Sequence, residues 1–234
     1  MPSRSSRFEP PDLPPVGAPG GTGGRITALL RSANAPGELT IKLGRRTAGT
    51  IDENLAADLG MAEGVIWTER MRSAVAGAMM LAEARDWGAR AVSRRAMSRV
   101  MLITKLRQRG LDSGPAARIA EELAAAGMID EKRFAENVAE VALARRTHGT
   151  RRVALKLRAK GIDFRTAAQT VDRIAAESGY DARAVATDLA RRKLRSLARK
   201  PDPDARQRAL YSLLARRGFD SDLCRDVVRQ VLSE

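Results

Sequence analysis

Aromatic residues make up only 3% of this 234-residue chain, although hydrophobic residues as a whole make up 44%. A chain of this size can bury a core, but that core must be built from Ala, Leu, Val, Ile and Met. Alanine and arginine are strong helix formers, so the composition predicts an all-α fold. The shortage of rings also argues against base-specific recognition of single-stranded nucleic acid, which depends on stacking.

The chain has one cysteine, Cys224, and one histidine, His148. A single cysteine excludes an internal disulfide and any zinc site built from several cysteines. We predict that Cys224 is a small buried hydrophobe on the last helix. His148 stands beside Gly149 in a basic turn, and we interpret it as an exposed loop residue, at most a phosphate contact. The sequence therefore predicts no catalytic residues, no metal site and no cofactor.

No apolar run approaches the roughly 20 residues that a membrane span requires. The N-terminus also lacks the apolar segment of a secretory signal. Residues 1–36 are rich in Pro, Gly and Ser, which predicts a disordered tail. Its GGTGG segment lacks the Lys-Ser/Thr of a P-loop, so no phosphate site is predicted there. We expect a monomeric cytoplasmic protein that does not contact a membrane.

The net charge of +14 is concentrated in one part of the chain. Residues 1–90 carry 11 Lys and Arg against 10 Asp and Glu, whereas residues 91–234 carry 31 against 18. A positive field of this kind favours polyanions or acidic protein surfaces as partners. The alternative is a solvated helical surface that is merely rich in arginine.

A seven-residue phrase occurs three times, as LRQRGLD at 106–112, LRAKGID at 157–163 and LARRGFD at 214–220. Its glycine can adopt the left-handed conformation that ends a helix, and its leucine and the apolar residue after the glycine then meet in a Schellman cap. Its aspartate can cap the next helix. The phrase therefore predicts a helix–corner–helix. The predicted corner residues are Leu106, Gly110 and Asp112, then Leu157, Gly161 and Asp163, then Leu214, Gly218 and Asp220.

The corners lie 51 and 57 residues apart, as measured between their glycines. Asp130 and Asp181 can each cap a third helix after a corner pair. We therefore predict three tandem three-helix repeats in an elongated, curved array. Their predicted bounds are 91–147, 148–200 and 201–234, the third truncated to two helices.

The segment 37–90 has a different pattern. Leu39, Ile41 and Leu43 alternate with polar residues, which indicates a small β-hairpin. A short helix ending at a glycine should occupy 55–64, and a longer helix from about 65 to 87 should carry Met71, Val75 and Met79 on one side. The sequence thus predicts a small N-terminal α/β segment before the helical repeats.

Two runs of cations follow the first corner. Arg152 and Lys156 share one helical face at i, i+4 spacing. We predict that the runs form one positive stripe that contacts phosphate backbone or an acidic protein groove. An ordinary solvated face is the alternative. The candidate residues are Arg145, Arg146, Arg151, Arg152, Lys156, Lys160, Arg191, Arg192, Lys193, Arg195, Arg216 and Arg217, and the second run continues to Arg199 and Lys200.

Residues 129–163, IDEKRFAENVAEVALARRTHGTRRVALKLRAKGID, resemble the central signature of the RecX family. That signature combines an acidic pair, Arg-Phe-Ala, several arginines, a glycine and a Lys-Gly-Ile helix end. Residues 91–110 are similar to the family's first repeat, and 213–228 to its C-terminal ending. Two positions depart from the family pattern, since Glu131 stands for an aspartate and Lys156 stands where an acid is common.

The resemblance implies a cytoplasmic regulator without catalytic residues. Such a protein binds the RecA–DNA filament and inhibits its recombinase, ATPase and co-protease activities, which affects DNA repair and the SOS response. It implies RecA and single- or double-stranded DNA as partners. A stand-alone basic helical-repeat protein that binds DNA or RNA is the second hypothesis, and an uncharacterised enzyme is the third.

Overall fold

The computed structural model describes residues 7–9, 11–14, 24–32, 36–197 and 202–234. Within these ranges a three-stranded sheet precedes ten α-helices, so the predicted helical fold with a small N-terminal α/β segment is confirmed. The helices are α1 Glu53–Asp58, α2 Glu69–Arg94, α3 Arg99–Gln108, α4 Ser113–Ala125, α5 Glu131–Ala144, α6 Thr150–Arg158, α7 Phe164–Glu177, α8 Ala182–Ser196, α9 Pro203–Arg216 and α10 Ser221–Leu232.

The chain forms two compact units. The first contains the described residues up to Arg94 together with Ile103–Leu123, and so holds the sheet, α1, α2, most of α3 and nearly all of α4. The second contains Arg95–Leu102 and Ala124–Glu234, and so holds the first turn of α3 and helices α5 to α10.

The sheet of the first unit is antiparallel and has the order β1-β2-β3. Its strands are β1 Ala28–Arg31, β2 Glu38–Leu43 and β3 Arg46–Asp52, so the predicted hairpin gains a strand from the range assigned to the tail. Helix α2 lies directly on β3. A Cβ added at Gly49 would meet Met79 Sδ at 2.5 Å and Val75 Cγ1 at 2.6 Å, so a larger residue at this position would push the helix away.

Part of the predicted tail is packed against this unit. Phe8 and Leu13 are each only 6% exposed. The Phe8 N–H donates to the carbonyl oxygen of Arg109 at 2.8 Å, and the Arg109 guanidinium lies 5.1 Å from the Phe8 ring centroid and 4.6 Å from that of Trp87. Composition did not reveal this contact because one aromatic residue in a Pro- and Gly-rich segment hardly changes the average. Residues 1–6, 10, 15–23 and 33–35 of the predicted tail lie outside the described residues.

The glycine turns of all three corners form as the repeated phrase predicts. Gly110, Gly161 and Gly218 have φ angles of +99°, +90° and +81°. In each corner the N–H after the glycine donates to the carbonyl of the leucine five residues earlier, at 3.2, 3.2 and 3.3 Å. This is the longer bond of a Schellman motif, and the three leucines are fully buried. The side chains of Asp163 and Asp220 cap α7 and α10.

The helices of the second unit pack in two sets of three. Helices α5, α6 and α7 share one core, and α8, α9 and α10 share another. The predicted frame of the repeat is therefore shifted by one helix, because the helices capped by Asp130 and Asp181 pack with the corner that follows them. The last set is complete rather than truncated. Chain order alone does not say which of two neighbouring corners a helix will bury its apolar face against.

Candidate partner-binding surface

The start of α6 docks onto the corner between α9 and α10. The Gly149 N–H donates to the carbonyl oxygen of Arg217 at 2.9 Å. A Cβ added at Gly149 would lie 2.3 Å from the carbonyl oxygen of Gly218, and one added at Gly218 would lie 2.5 Å from the backbone nitrogen of Arg152. We call α5–α7 the second helix set and α8–α10 the third. Two glycines let these sets approach backbone to backbone, and we call this contact the junction.

The start of α3 docks onto the corner between α6 and α7 in the same manner. The hydroxyl of Ser98, which is fully buried, donates to the carbonyl oxygen of Lys160. A Cβ added at Gly161 would lie 2.4 Å from that of Val100. In both places a residue just before a helix binds the carbonyl that precedes a corner glycine. Ser98 and Gly149 are 51 residues apart, as are Gly110 and Gly161, so the two docking residues hold the same position in the repeat.

The junction collects cations from two helix sets. Arg152 and Lys156 lie on α6, and Arg217 lies at the end of α9. The pKa of Lys156 is lowered, first by partial burial and then by repulsion from Arg152, Arg145 and Arg217. Four of the predicted cations therefore lie close enough to repel one another, although they come from three separate stretches of sequence.

His148 lies within this group of cations, and it is half-buried rather than an exposed loop residue. Its Nδ1 is 2.8 Å from Thr147 Oγ1, and its carbonyl oxygen accepts a 2.6 Å bond from the Tyr180 hydroxyl. Burial lowers the pKa of His148, and repulsion from Lys156, Arg217 and Arg152 lowers it further. The Tyr180 hydroxyl thus fixes the backbone of the loop before α6. The sequence did not indicate this role for Tyr180.

A cleft of about 470 Å³ opens beside the junction. Arg151, Arg152 and Arg216 line it together with Leu155 and Phe219. Leu155 is 41% exposed and Phe219 is buried, so arginines surround an apolar floor. A carboxylate on a short aliphatic stem would match this arrangement, because guanidinium groups bind carboxylates through two hydrogen bonds.

The other predicted cations have different surroundings. Arg146 has a φ of 47° and lies near Tyr180, and the carbonyl of Lys160 accepts the Ser98 hydroxyl. Arg191 forms two hydrogen bonds to the Glu234 carboxylate, at 2.8 and 2.5 Å. Arg192, Lys193 and Arg195 lie on α8, and their place in one stripe with the junction stays a prediction. Arg199 and Lys200 lie outside the described residues.

Cys224 is fully buried, and burial raises the pKa of its thiol. Within the described ranges, no three His, Cys, Asp or Glu residues are grouped closely enough to hold a metal ion. Over the same part of the chain, no helix combines the length and apolar character of a membrane span.

Comparison with family models matches two parts of the chain. A model described as the second three-helix domain of RecX matches residues 130–171, and one described as the third three-helix domain matches residues 181–228. The matches begin at Asp130 and Asp181, which precede α5 and α8. They agree with the two helix sets of the structure and support the shifted frame.

Several proteins named regulatory protein RecX are similar in sequence. The one from Corynebacterium efficiens is 33% identical over 144 residues, covering 61% of this chain and 69% of that protein. The one from Chlorobium phaeobacteroides is 32% identical over 146 residues, covering 62% of this chain and 91% of that protein. The one from Mycolicibacterium smegmatis is 34% identical over 139 residues, covering 57% and 71%.

Two solved structures share the fold. A crystal structure of regulatory protein RecX superimposes with a TM-score of 0.60 and 19% identity over 90% of this chain and all of that chain. A crystal structure of RecX from Lactobacillus salivarius gives a TM-score of 0.50 and 18% identity over 64% of this chain and 96% of that chain.

Proposed function

Because the chain belongs to the RecX family, we propose that it is a non-catalytic cytoplasmic regulator that binds the RecA–DNA filament and inhibits its recombinase, ATPase and co-protease activities. Through this inhibition it modulates DNA repair and the SOS response. The names of the relatives support a regulatory role, and the interaction with RecA and DNA is our inference.

The observation that carries this proposal is the group of cations at the junction. Arg145, Arg152, Lys156 and Arg217 come together because α6 docks onto the last corner. Their charges repel, so the folded protein holds them at an energetic cost that an anionic partner would relieve. A surface of this kind fits a nucleoprotein filament, which presents both phosphates and acidic side chains.

We divide the contacts by their chemistry. The cleft with Arg151, Arg152 and Arg216 has an apolar floor and suits an acidic side chain of RecA. Lys156 and Arg145 lie with His148 outside that cleft and suit phosphate oxygens. The cations of α8 extend the proposed surface. We thus propose that all the candidate cations of the predicted stripe contact RecA or DNA.

The helix sets allow several weak contacts to act together. Each set presents its own cations, and one chain can therefore engage neighbouring subunits of a filament at the same time. Linked contacts raise the apparent affinity without any single strong contact. We expect monomeric protein to act in this way, with no need for self-assembly.

The decisive measurement is ATP hydrolysis by RecA on single-stranded DNA, titrated with this protein. Inhibition at concentrations below that of RecA supports the proposal, and unchanged hydrolysis at several-fold excess contradicts it. A variant carrying Arg152→Glu and Lys156→Glu should require at least about tenfold more protein for the same inhibition, a loss of about 1.4 kcal/mol.

The matched control carries Lys132→Glu and Arg133→Glu. These two residues are exposed in the first turn of α5, and the control changes the net charge by the same amount. It should inhibit as the unmodified protein does. Equal loss in both variants would show that net charge, rather than the junction, drives binding. Circular dichroism checks that both variants keep their helix content.

The second hypothesis, a stand-alone nucleic-acid-binding protein, rests on the same cations. The salt dependence of binding distinguishes it from the regulator. Binding through phosphates alone should weaken steeply as salt rises and should not need RecA. Capture of DNA-free RecA at moderate salt would favour the regulator. Binding of DNA alone, with the RecA effect abolished by excess competitor DNA, would favour the second hypothesis.

A further inference from the structure

A groove of about 770 Å³ lies between α9 and α10, and its lining residues differ from those of the junction cleft. The beginning of α9 contributes Asp204, Gln207 and Arg208, and the end of α10 contributes Arg229, Leu232 and Ser233. Tyr211, Ser212, Arg225 and Val228 complete the lining. We call it the terminal groove.

The corresponding place in the preceding helix set is filled by this chain itself. Tyr180 packs against the core of α5, α6 and α7 and also against that of α8, α9 and α10. Its N–H donates to the carbonyl of Ala175 near the end of α7, at 2.9 Å. Its hydroxyl donates to the carbonyl of His148 just before α6, at 2.6 Å. The tyrosine therefore bridges the end of one helix and the beginning of the other.

The two corners fix which residues correspond. Leu157 and Asp163 of one corner match Leu214 and Asp220 of the next, 57 residues later. By this register Ala175, at the end of α7 beneath Tyr180, corresponds to Leu232 in the terminal groove. Val171 corresponds to Val228, and both are buried. The end of the terminal groove at Leu232 thus corresponds to the place beside Tyr180, whereas Arg208 and Ser212 correspond to Arg151 and Leu155 of the junction cleft.

The terminal groove has an apolar floor and a rim that carries three arginines. Val228 is buried and Leu232 is 37% exposed, while Arg208, Arg225, Arg229 and Asp204 are exposed around them. Arg208 and Arg225 are paired with the exposed carboxylates of Asp202 and Asp222, for which a carboxylate of a ligand would substitute. An aromatic side chain would cover the floor, and carboxylates beside it would meet the arginines. Asp181 directly follows Tyr180, but its side chain caps α8, so the preference for carboxylates rests on the arginines of the groove.

We propose that the terminal groove binds an aromatic side chain presented by an acidic protein segment, in the way that Tyr180 occupies the groove between α6 and α7. The proposal goes beyond the regulatory function above and does not depend on it. The partner is defined by its chemistry, which is an aromatic residue flanked by carboxylates in an extended segment.

The probe is a blocked peptide that copies residues 177–182, ESGYDA, which carries two acidic residues and the tyrosine. It is titrated into the full chain while the methyl resonances of Val228 and Leu232 are followed by NMR. We expect saturable shifts confined to the terminal groove with a Kd of about 1 mM or tighter, as suits a short flexible ligand.

Two controls test the two parts of the proposal. The peptide with alanine in place of tyrosine should lose the shifts, because only charge remains. The protein variant Leu232→Arg places a long side chain at a partly exposed position and should weaken binding at least about tenfold, and Tyr211→Ala provides a second variant should the first be poorly folded.

Several results would overturn the proposal. These are no shifts at several millimolar peptide, equal shifts with the alanine peptide, or shifts centred on the junction instead. Stronger shifts of the same two methyl groups with an oligothymidine than with the peptide would assign the terminal groove to nucleic acid. None of these readouts involves RecA, so failure here leaves the regulatory function untouched, and the reverse also holds.

Discussion

The hydroxyl of Tyr180 lies 2.6 Å from the carbonyl oxygen of His148 and donates a hydrogen bond to it. Tyr180 stands just before α8 of the third helix set, and His148 stands just before α6 of the second. One hydrogen bond therefore ties the residue before α8 to the loop between α5 and α6, and burial raises the pKa of the tyrosine to about 12.

Removal of this hydroxyl should weaken the connection between the sets. Tyr180→Phe keeps the ring and leaves the His148 carbonyl without this donor, so we expect a loss of about 1 kcal/mol in the free energy of unfolding. Urea denaturation followed by circular dichroism measures it. Tyr211→Phe, which changes a tyrosine of the terminal groove, is the matched control and should have little effect. Equal losses would show that the hydrogen bond is not the cause.

Corner glycines should differ in their tolerance of a side chain. Gly110→Ala introduces backbone strain alone, because no described atom lies within 4 Å of the added Cβ, and should cost about 1–2 kcal/mol. Gly218→Ala introduces the same strain and a contact of 2.5 Å with the Arg152 backbone, so its cost should be larger by at least about 1 kcal/mol. Thermal or urea unfolding of both variants decides this, and an equal cost would contradict the close approach at the junction.

Stability should fall in mild acid because of His148. Its pKa in the folded protein is below the ordinary value of 6.5, so the unfolded chain binds the proton more readily. The neutral histidine therefore contributes stability above about pH 6.5 that is lost progressively as the pH falls toward the folded pKa. Urea unfolding at pH 5 and pH 7.5 measures the loss, and His148→Asn should reduce the difference between the two pH values.

The same histidine reports on anion binding. An anion among Lys156, Arg217 and Arg152 would offset their repulsion and raise the pKa of His148. We expect an upward shift when a short single-stranded oligonucleotide is added. Because His148 is the only histidine, one NMR titration of its ring protons gives the pKa directly. An unchanged pKa with oligonucleotide bound would place the phosphate contacts elsewhere.

Phe8 should shield Trp87. Phe8→Ala removes the ring that packs with Trp87 and the Arg109 guanidinium, so Trp87 should become more accessible to acrylamide. Trp67 is fully buried and should stay protected from acrylamide. Trp87→Phe, introduced into the unmodified protein and into Phe8→Ala, leaves only the fluorescence of Trp67 and so separates the two tryptophan signals. Unchanged quenching of Trp87 would contradict the packing of this N-terminal segment.

The corners were predictable because their information is local. Leucine, glycine and the following apolar residue lie within six positions, and a glycine with positive φ fixes the geometry without help from distant residues. The same holds for Asp130 and Asp181, whose side chains accept from N–H groups three residues later, as their positions predict. Local caps of this kind can be identified in a sequence without knowledge of the tertiary fold.

The packing frame and the contents of the junction depend on distant residues. Phe134 lies near the start of α5 and Val185 near the start of α8. Either helix could bury its apolar face against the corner before it or the corner after it, and sequence order does not decide between them. The approach of Gly149 to Gly218 joins residues 69 positions apart, so the gathering of Arg152 and Arg217 could not be predicted from spacing. The predicted cations that the structure does bring together are those on the two sides of this contact.

Helices α3 and α6 dock onto a corner in the same way. The corner supplies a backbone carbonyl and a glycine, and the docked helix supplies a serine or a glycine just before its first residue. None of these features depends on which helix set carries it. In-frame duplication or deletion of one whole set would therefore still place a corner carbonyl and a corner glycine opposite each docked helix start. Proteins built on this plan can change length during evolution by gaining or losing a module, without a compensating mutation at the seam.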